Sequence, residues 1–310
     1  MTFFFVSRTI TIIRKKCRPP GRPLGEQSKM NIQLIVDSCC DATPTLKNVL
    51  GLRVASLKID VGDIHYVDDE TMDTARLIAD MKAYKGAPAT ACPSPEEYAA
   101  LMQQSEASFV VTLSSHLSGS HNAACVGRDM VLERWPEKKI HIFDSESASA
   151  GETRIALLLR DLIDSGLSYD EIVAQATAFI ATMKTHFVLE DLSHLVKNGR
   201  ISKFAGFAGT MLNLRPIMGE NGHGEIIPLE KVRGTANAMR RLVEIVAEET
   251  RDFARASLTM VLSYCNCVDR AQELKKNFLA GCAALKEVIM VPTSGLSTVY
   301  ADDGGIVVAF

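Results

Sequence analysis

Several chemistries are excluded by what the chain lacks. No apolar run approaches the roughly 20 residues that a membrane-spanning helix needs. The eight cysteines (Cys17, Cys39, Cys40, Cys92, Cys125, Cys265, Cys267, Cys282) form no Cys-x-x-Cys pair and no metal-site spacing. They point to a reducing, cytoplasmic setting and to thiols that serve mostly as small apolar groups. The P-loop pattern GxxxxGK[ST] is absent, and "GRISKFAGFAGT" (199–210) has its glycines and lysine in the wrong order. Positive charge is scarce in the body of the protein. Seven of the 34 Lys/Arg, but only Glu26 of the 37 Asp/Glu, fall in the first thirty residues, so residues 31–310 hold 27 basic against 36 acidic side chains, a net charge of −9. An acidic body argues against nucleic acid as the main partner.

What is present is a globular composition, 47% hydrophobic and 23% charged over 310 residues, enough for two domains. The stretch "MTFFFVSRTITIIRKKCRPPGRP" has its apolar segment before its basic one, the reverse of a secretory signal. It reads as an appended, disordered leader over 1–29, ahead of a start at Met30. From there strand and helix alternate. "IQLIVD" (32–37), "FVVTL" (109–113) and "IHIFD" (140–144) are short apolar strands that end in polar residues, as in a parallel sheet covered on both faces. Helices are expected at 71–84, 95–105, about 119–132, 152–165 and 169–184. The second of these opens with a capping box, Ser94 and Glu97, with Pro95 at its first position.

The second half differs. "RPIMGENGHGEIIPLEKVRG" (215–234) reads as an antiparallel hairpin. A helix (235–252), a strand (258–264), a helix (268–280) and two strands (286–291 and 305–310) complete the chain. The fold class is therefore α/β. A doubly wound parallel-sheet domain over 31–185 is followed by a smaller α+β domain over 186–310.

The polar loops gather at one sheet edge. In an open α/β sheet, ligands bind beyond the carboxyl ends of the strands, where "DSCCDATP" (37–44), "SSHLSGS" (114–120) and "DSESAS" (144–149) fall, joined by "ATACPSP" (89–95). The serines of "TLSSHLSGSHNAA" (112–124) either cap the helix that follows or point at an anionic ligand near its N-terminus. A Ser–His nucleophile is the rival reading. The order His116-Leu117-Ser118-Gly119-Ser120 does not match the GxSxG elbow of serine hydrolases.

Six ordered motifs make the chain resemble the DegV family of fatty-acid-binding proteins, the lipid-presenting subunits of bacterial fatty acid kinase. They are "VDSCCDATP", "TACPSPEEY", "LSSHLSGSHNAA", "FDSESAS", "HLVKNGRISKFAGFAGTMLNLRPIM" and "IPLEKVRG", spread over 31–310. The resemblance implies a non-enzymatic carrier without cofactor. It would bind a long-chain fatty acid and offer its carboxylate to a separate kinase subunit, feeding phospholipid synthesis, with transient contact with a membrane surface. The family's carboxylate-binding threonine falls on Thr90 and its serine on Ser118, with Ser115 beside it. Tyr300 stands where relatives often have histidine, and Ala91 and Cys92 replace the usual serine and glutamine. Arg200 either bonds a helix end or belongs to a docking surface for the kinase. "FAGFAGTMLNL" (204–214), with Phe207 and Met211, either walls an acyl tunnel or is an ordinary tightly packed helix. The alternatives to the carrier are a serine esterase or phosphatase built on 114–121, or a carrier of another amphiphilic acid.

Such a ligand matches the serine-rich junction physically. An acyl tail gains about 0.8 kcal/mol per buried methylene, while its carboxylate needs donors to leave water. If 1–29 is an appendage, a chain beginning at Met30 will show an unchanged melting temperature and lipid content; a loss of several degrees would mean that the leader packs on the body.

Overall fold

The computed structural model describes residues 31–201 and 213–310. The expectations for the leader and for Phe207 and Met211 lie outside the described residues. Strands β1 (Ile32–Asp37), β2 (Leu52–Ala55), β6 (Ala107–Thr112) and β7 (Lys139–Asp144) form an all-parallel sheet in the order β2-β1-β6-β7. Side-chain alternation sorts their two faces. Ile35 and Val110 pack with Tyr98 and Met102 of α3 (Pro95–Met102) and with Ala123 and Ala124 of α4 (Ser120–Arg134). Leu34, Val36, Phe109 and Val111 pack instead with Ile155 and Leu159 of α5 (Ala150–Asp164). The capping box at the start of α3 is formed, with Ser94 and Glu97 each bonding the other's backbone N–H.

A second sheet begins at β8 (Thr185–Val188) and continues through β9 (Leu214–Glu220), β10 (Ile226–Arg233), β11 (Leu258–Tyr264), β12 (Leu285–Pro292) and β13 (Ile306–Ala309). Its order is β10-β9-β8-β13-β11-β12, antiparallel throughout except for the parallel β11–β12 pair. Helices α8 (Thr235–Glu249) and α9 (Val268–Gly281) cover one face through Leu242, Val246, Leu274 and Phe278. Helix α5 contacts β11 and β13 as well as β1 and β6. One helix therefore serves both sheets, and a single apolar cluster runs from Val111 through Ile155 to Phe187 and Val307. The α/β fold, with a parallel first sheet and a mixed second one, is the one that the strand patterns imply.

A third sheet, β4-β3-β5, was not expected. β3 (Lys58–Val61) and β4 (Ile64–Val67) are joined by Gly62-Asp63, with Gly62 at φ 62°. β5 (Ala89–Ala91) pairs along β3, setting Thr90 opposite Ile59. Four-residue strands give periodicity little length to act on, and β5 lies where a loop was expected. Three short helices also escaped notice, α1 (Pro44–Leu50), α7 (Ser193–Lys197) and α10 (Gly295–Ala301). The helix expected to run to residue 184 is α6 (Tyr169–Ile180), because Thr185–Val188 is taken into the second sheet.

Glu152, in the first turn of α5, is fully buried, and neither carboxyl oxygen has a partner of ordinary hydrogen-bond geometry. Burial, then the charge of Asp37, pushes its pKa well above the ordinary 4.5. The unfolded chain releases this proton near pH 4.5 while the folded chain keeps it, so rising pH draws the equilibrium toward the unfolded state until the folded group ionises. Glu152→Gln, neutral at every pH, will raise the melting temperature at pH 8 and leave it nearly unchanged at pH 4. A difference independent of pH would show that Glu152 is not the titrating group.

Candidate functional site

Three buried aspartates, none of them in its wall, fasten the segments that line a cavity. Asp37, at the end of β1, accepts hydrogen bonds from Cys39 N (3.1 Å), Leu113 N (2.9 Å) and Ser120 Oγ (2.6 Å), so one carboxylate ties together the ends of β1 and β6 and the start of α4. Asp41 accepts from Ser294 N (2.8 Å), Ser294 Oγ (2.9 Å) and Ser149 Oγ, joining the loop after β1 to the start of α5 and to the segment before α10. Asp68 accepts from Gly295 N (2.7 Å) and Leu296 N (2.9 Å), where a negative charge meets the free N–H groups of a helix start. Burial raises its pKa to about 6.

The serines of 114–120 have separate duties. Ser114 Oγ donates to Gly224 O (3.0 Å) at the tip of the β9–β10 hairpin. Ser118 Oγ accepts from Ser120 N (3.2 Å), so it satisfies one free N–H of α4 and lines the cavity as well. One side chain thus combines a bond to a helix-start N–H with a place in the cavity wall. Ser120 is buried against Asp37 and Tyr98. Ser115 is exposed, hydrogen-bonded through its backbone N–H to Asp144, and does not line the cavity. His121 turns toward Thr112 Oγ1 (3.3 Å) and Cys125 Sγ (3.6 Å) rather than toward a serine.

The cavity measures about 350 Å³, within the range of small-molecule sites. Phe187 and Val307 of the second sheet, Leu57 and Leu113 from loops of the first half, and Leu189 and Leu296 give it an apolar wall. Its polar lining includes Thr90, Ser118, Tyr300 and Arg200, with Glu146, Ser147 and Ser149 of the 145–149 loop and with Glu220. Thr90 and Tyr300 are brought together by register and packing. Residues opposite each other in an antiparallel pair share a face, so Thr90 lies on the side of Ile59, whose cluster includes Val299 and Tyr300. Thr90 Oγ1 is 3.0 Å from Tyr300 Oη, and Asn198 Nδ2 donates to the same phenol at 3.3 Å.

Arg200 has a clearer position than its sequence revealed. Gly199, at φ 75°, reverses the chain after α7, and Arg200 N then bonds Leu195 O (2.9 Å). The guanidinium donates to Leu117 O (3.1 Å) and Asn198 O (2.6 Å) and lies 5.9 Å from the centre of the Tyr300 ring. A fixed cation therefore joins the neutral hydroxyls. The Asn-Gly-Arg turn after a short helix was the available signal, but its direction depends on a helix that the sequence did not disclose. Asn198 belongs to the same turn, and nothing in the sequence marks its side chain as one that reaches Tyr300. The 145–149 loop also lines the cavity and holds two non-glycine residues in left-handed conformation, Glu146 (φ 49°) and Ser149 (φ 56°), a strain typical of constrained sites. Among the described residues, no group of three or more His, Cys, Asp or Glu could hold a metal ion, and no helix is long and apolar enough to cross a membrane.

The DegV family, described as one of uncharacterised proteins, matches residues 31–310. A DegV domain-containing protein of Streptococcus pneumoniae is 33% identical over 289 residues, spanning 91% of this chain and 99% of its own. A DegV-family structure from Ruminococcus gnavus, refined with vaccenic acid, is 38% identical with a TM-score of 0.84 and covers 91% of this chain and 100% of that one. The fatty acid kinase B3 protein of Streptococcus pneumoniae, loaded with linoleic acid, is 32% identical with a TM-score of 0.82, covering 91% and 99%.

If Asp68 fastens α10, Asp68→Ala will strand two helix-start N–H groups and cost about 2–6 kcal/mol of stability by urea unfolding, from about 1–3 kcal/mol for each unsatisfied group. Asp68→Asn, which keeps one acceptor oxygen, will lose less.

Proposed function

The chain belongs to the DegV family, and from that premise we propose that it carries a long-chain fatty acid in the cytoplasm and presents its carboxylate to a partner kinase. In this reading the tail lies along the apolar wall, and the carboxylate meets Thr90, Ser118, Tyr300 and Arg200. The observation that carries it is convergence. A strand edge, a helix start, the turn after α7 and the end of α10 deliver four polar side chains to one apolar cavity. Two relatives more than 30% identical hold a C18 monocarboxylic acid, vaccenic in one and linoleic in the other, which supports the ligand class.

The energetics divide the work. At about 0.8 kcal/mol per methylene the tail dominates affinity. The donors, at about 1.5–3 kcal/mol per hydrogen bond to a charged group, govern where the carboxylate sits. Phosphoryl transfer would form a bond between one carboxylate oxygen and the phosphorus of the partner's phosphoryl donor while the bond from that phosphorus to the donor's leaving oxygen breaks and the donor departs with the electron pair, so the carboxylate oxygen must stay accessible and in line. The ligand-facing groups of this chain bind and orient, and none of them needs to break a bond. Ser118, engaged with a helix N–H, and His121, turned to Thr112 and Cys125, give little support to a serine nucleophile.

Mass spectrometry of freshly purified, denatured protein will release a fatty acid. Thr90→Ala and Ser118→Ala will each weaken fatty-acid binding by about ten- to a hundredfold. The double variant will lose less than the product of the two, because both hydroxyls act on one group. Acyl-phosphate formation with a cognate kinase will fall further than binding. Turnover of a chromogenic ester that disappears in Ser118→Ala would instead establish the esterase.

A further inference from the structure

The hydrogen bonds around Tyr300 have a direction, and Asn198 sets it. Pro88 offers only a carbonyl oxygen, so the Asn198 side chain must turn its NH2 toward it, and Nδ2 donates to Pro88 O at 2.9 Å. The second proton of the same nitrogen goes to Tyr300 Oη at 3.3 Å. A phenol oxygen that is already accepting is left with its own proton to place, and Thr90 Oγ1 stands 3.0 Å away. A phenol strengthened as a donor by the bond it accepts favours Thr90 as its acceptor, which leaves the Thr90 hydroxyl proton to point elsewhere, and Thr90 lines the cavity. Each bond in this chain biases the next.

We propose that Asn198 is a positioning residue which, through Tyr300, biases the Thr90 hydroxyl to donate toward the ligand's head group. The proposal rests on the carrier reading and deepens it. A carboxylate can only accept hydrogen bonds, so a threonine with one lone pair occupied and its proton turned to the cavity favours an ionised acid. A neutral alcohol donates or accepts equally well and gains nothing from the bias. Asn198 is thus a specificity determinant that need not touch the ligand. Arg200, bonded to Asn198 O, adds charge on the same side, so the relay supplies direction where the guanidinium supplies attraction.

The test uses the full chain and two probes of equal tail, oleate and oleyl alcohol. Asn198→Ala removes the bias and is expected to weaken oleate about three- to tenfold. Asn198→Asp reverses the bias, because its carboxylate draws the Tyr300 proton toward itself. It is expected to cost oleate more than about tenfold while moving oleyl alcohol by less than about threefold. In a Tyr300→Phe background the relay is already cut, and either substitution should then add less than about twofold. Equal losses for both probes, or the same loss of oleate with and without the Tyr300 hydroxyl, would overturn the proposal. The first would mean general disruption and the second direct action on the ligand. If Asn198→Asp does not fold, the Asn198→Ala and Tyr300→Phe pair decides by the same criteria. A parent protein that binds neither probe overturns the carrier reading, and the relay with it.

Discussion

A carboxylate taken out of water costs several kcal/mol unless donors replace its hydration, and the segments that line this cavity are organised by that requirement. Asp37, Asp41 and Asp68 are all buried, and each is surrounded by N–H or O–H donors from distant segments. Satisfying the charge therefore locks those segments together. Asp37 joins two strand ends to a helix start, Asp41 joins the first loop to residues 149 and 294, and Asp68 holds the helix that carries Tyr300. The same chemistry appears a second time in the proposed ligand, one more carboxylate that needs donors at an apolar site.

The arrangement separates rigidity from affinity. The structural carboxylates accept from backbone N–H groups and buried serine hydroxyls, whereas the cavity wall carries side-chain hydroxyls and one guanidinium. Ser118 stands between the two classes, since its oxygen accepts from a helix N–H and also faces the cavity. Affinity is left to the apolar wall, where Phe187 and Val307 of one sheet meet Leu57 and Leu113 from the other half of the chain. Helix α5 makes that meeting geometrically fixed, because it packs on both sheets at once.

Much of this was legible in the sequence, for local reasons. Period-2 and period-3.6 patterning identified the long elements, and β11 is the run Leu258–Tyr264 that its apolar residues indicate. The capping box of α3 and the β9–β10 hairpin follow from residues three to ten positions apart. The polar ends of β1, β6 and β7 fall at the edge where a doubly wound sheet binds ligands, while Thr90, Ser118 and Tyr300 were singled out by the resemblance to the DegV family rather than by spacing. Ser115 shows the limit of that reasoning. It shares the loop and the chemistry of Ser118, yet its backbone N–H is committed to Asp144 and its side chain faces solvent.

By itself the sequence determined the α/β class, the parallel character of the first sheet, the polar loops and the acidic body, because each depends on residue type and short-range spacing. Only the tertiary structure decided which donors share a cavity. Thr90 and Tyr300 are 210 positions apart, and their contact depends on a three-residue edge strand and a seven-residue helix, both too short for periodicity to announce. Asn198 and Arg200 reach the same place through one left-handed glycine, whose effect on direction cannot be known until the helix before it has been packed. Local patterns specify elements, but the meeting of side chains from separate elements is set by how whole faces bury against one another, and no stretch of sequence contains that information alone.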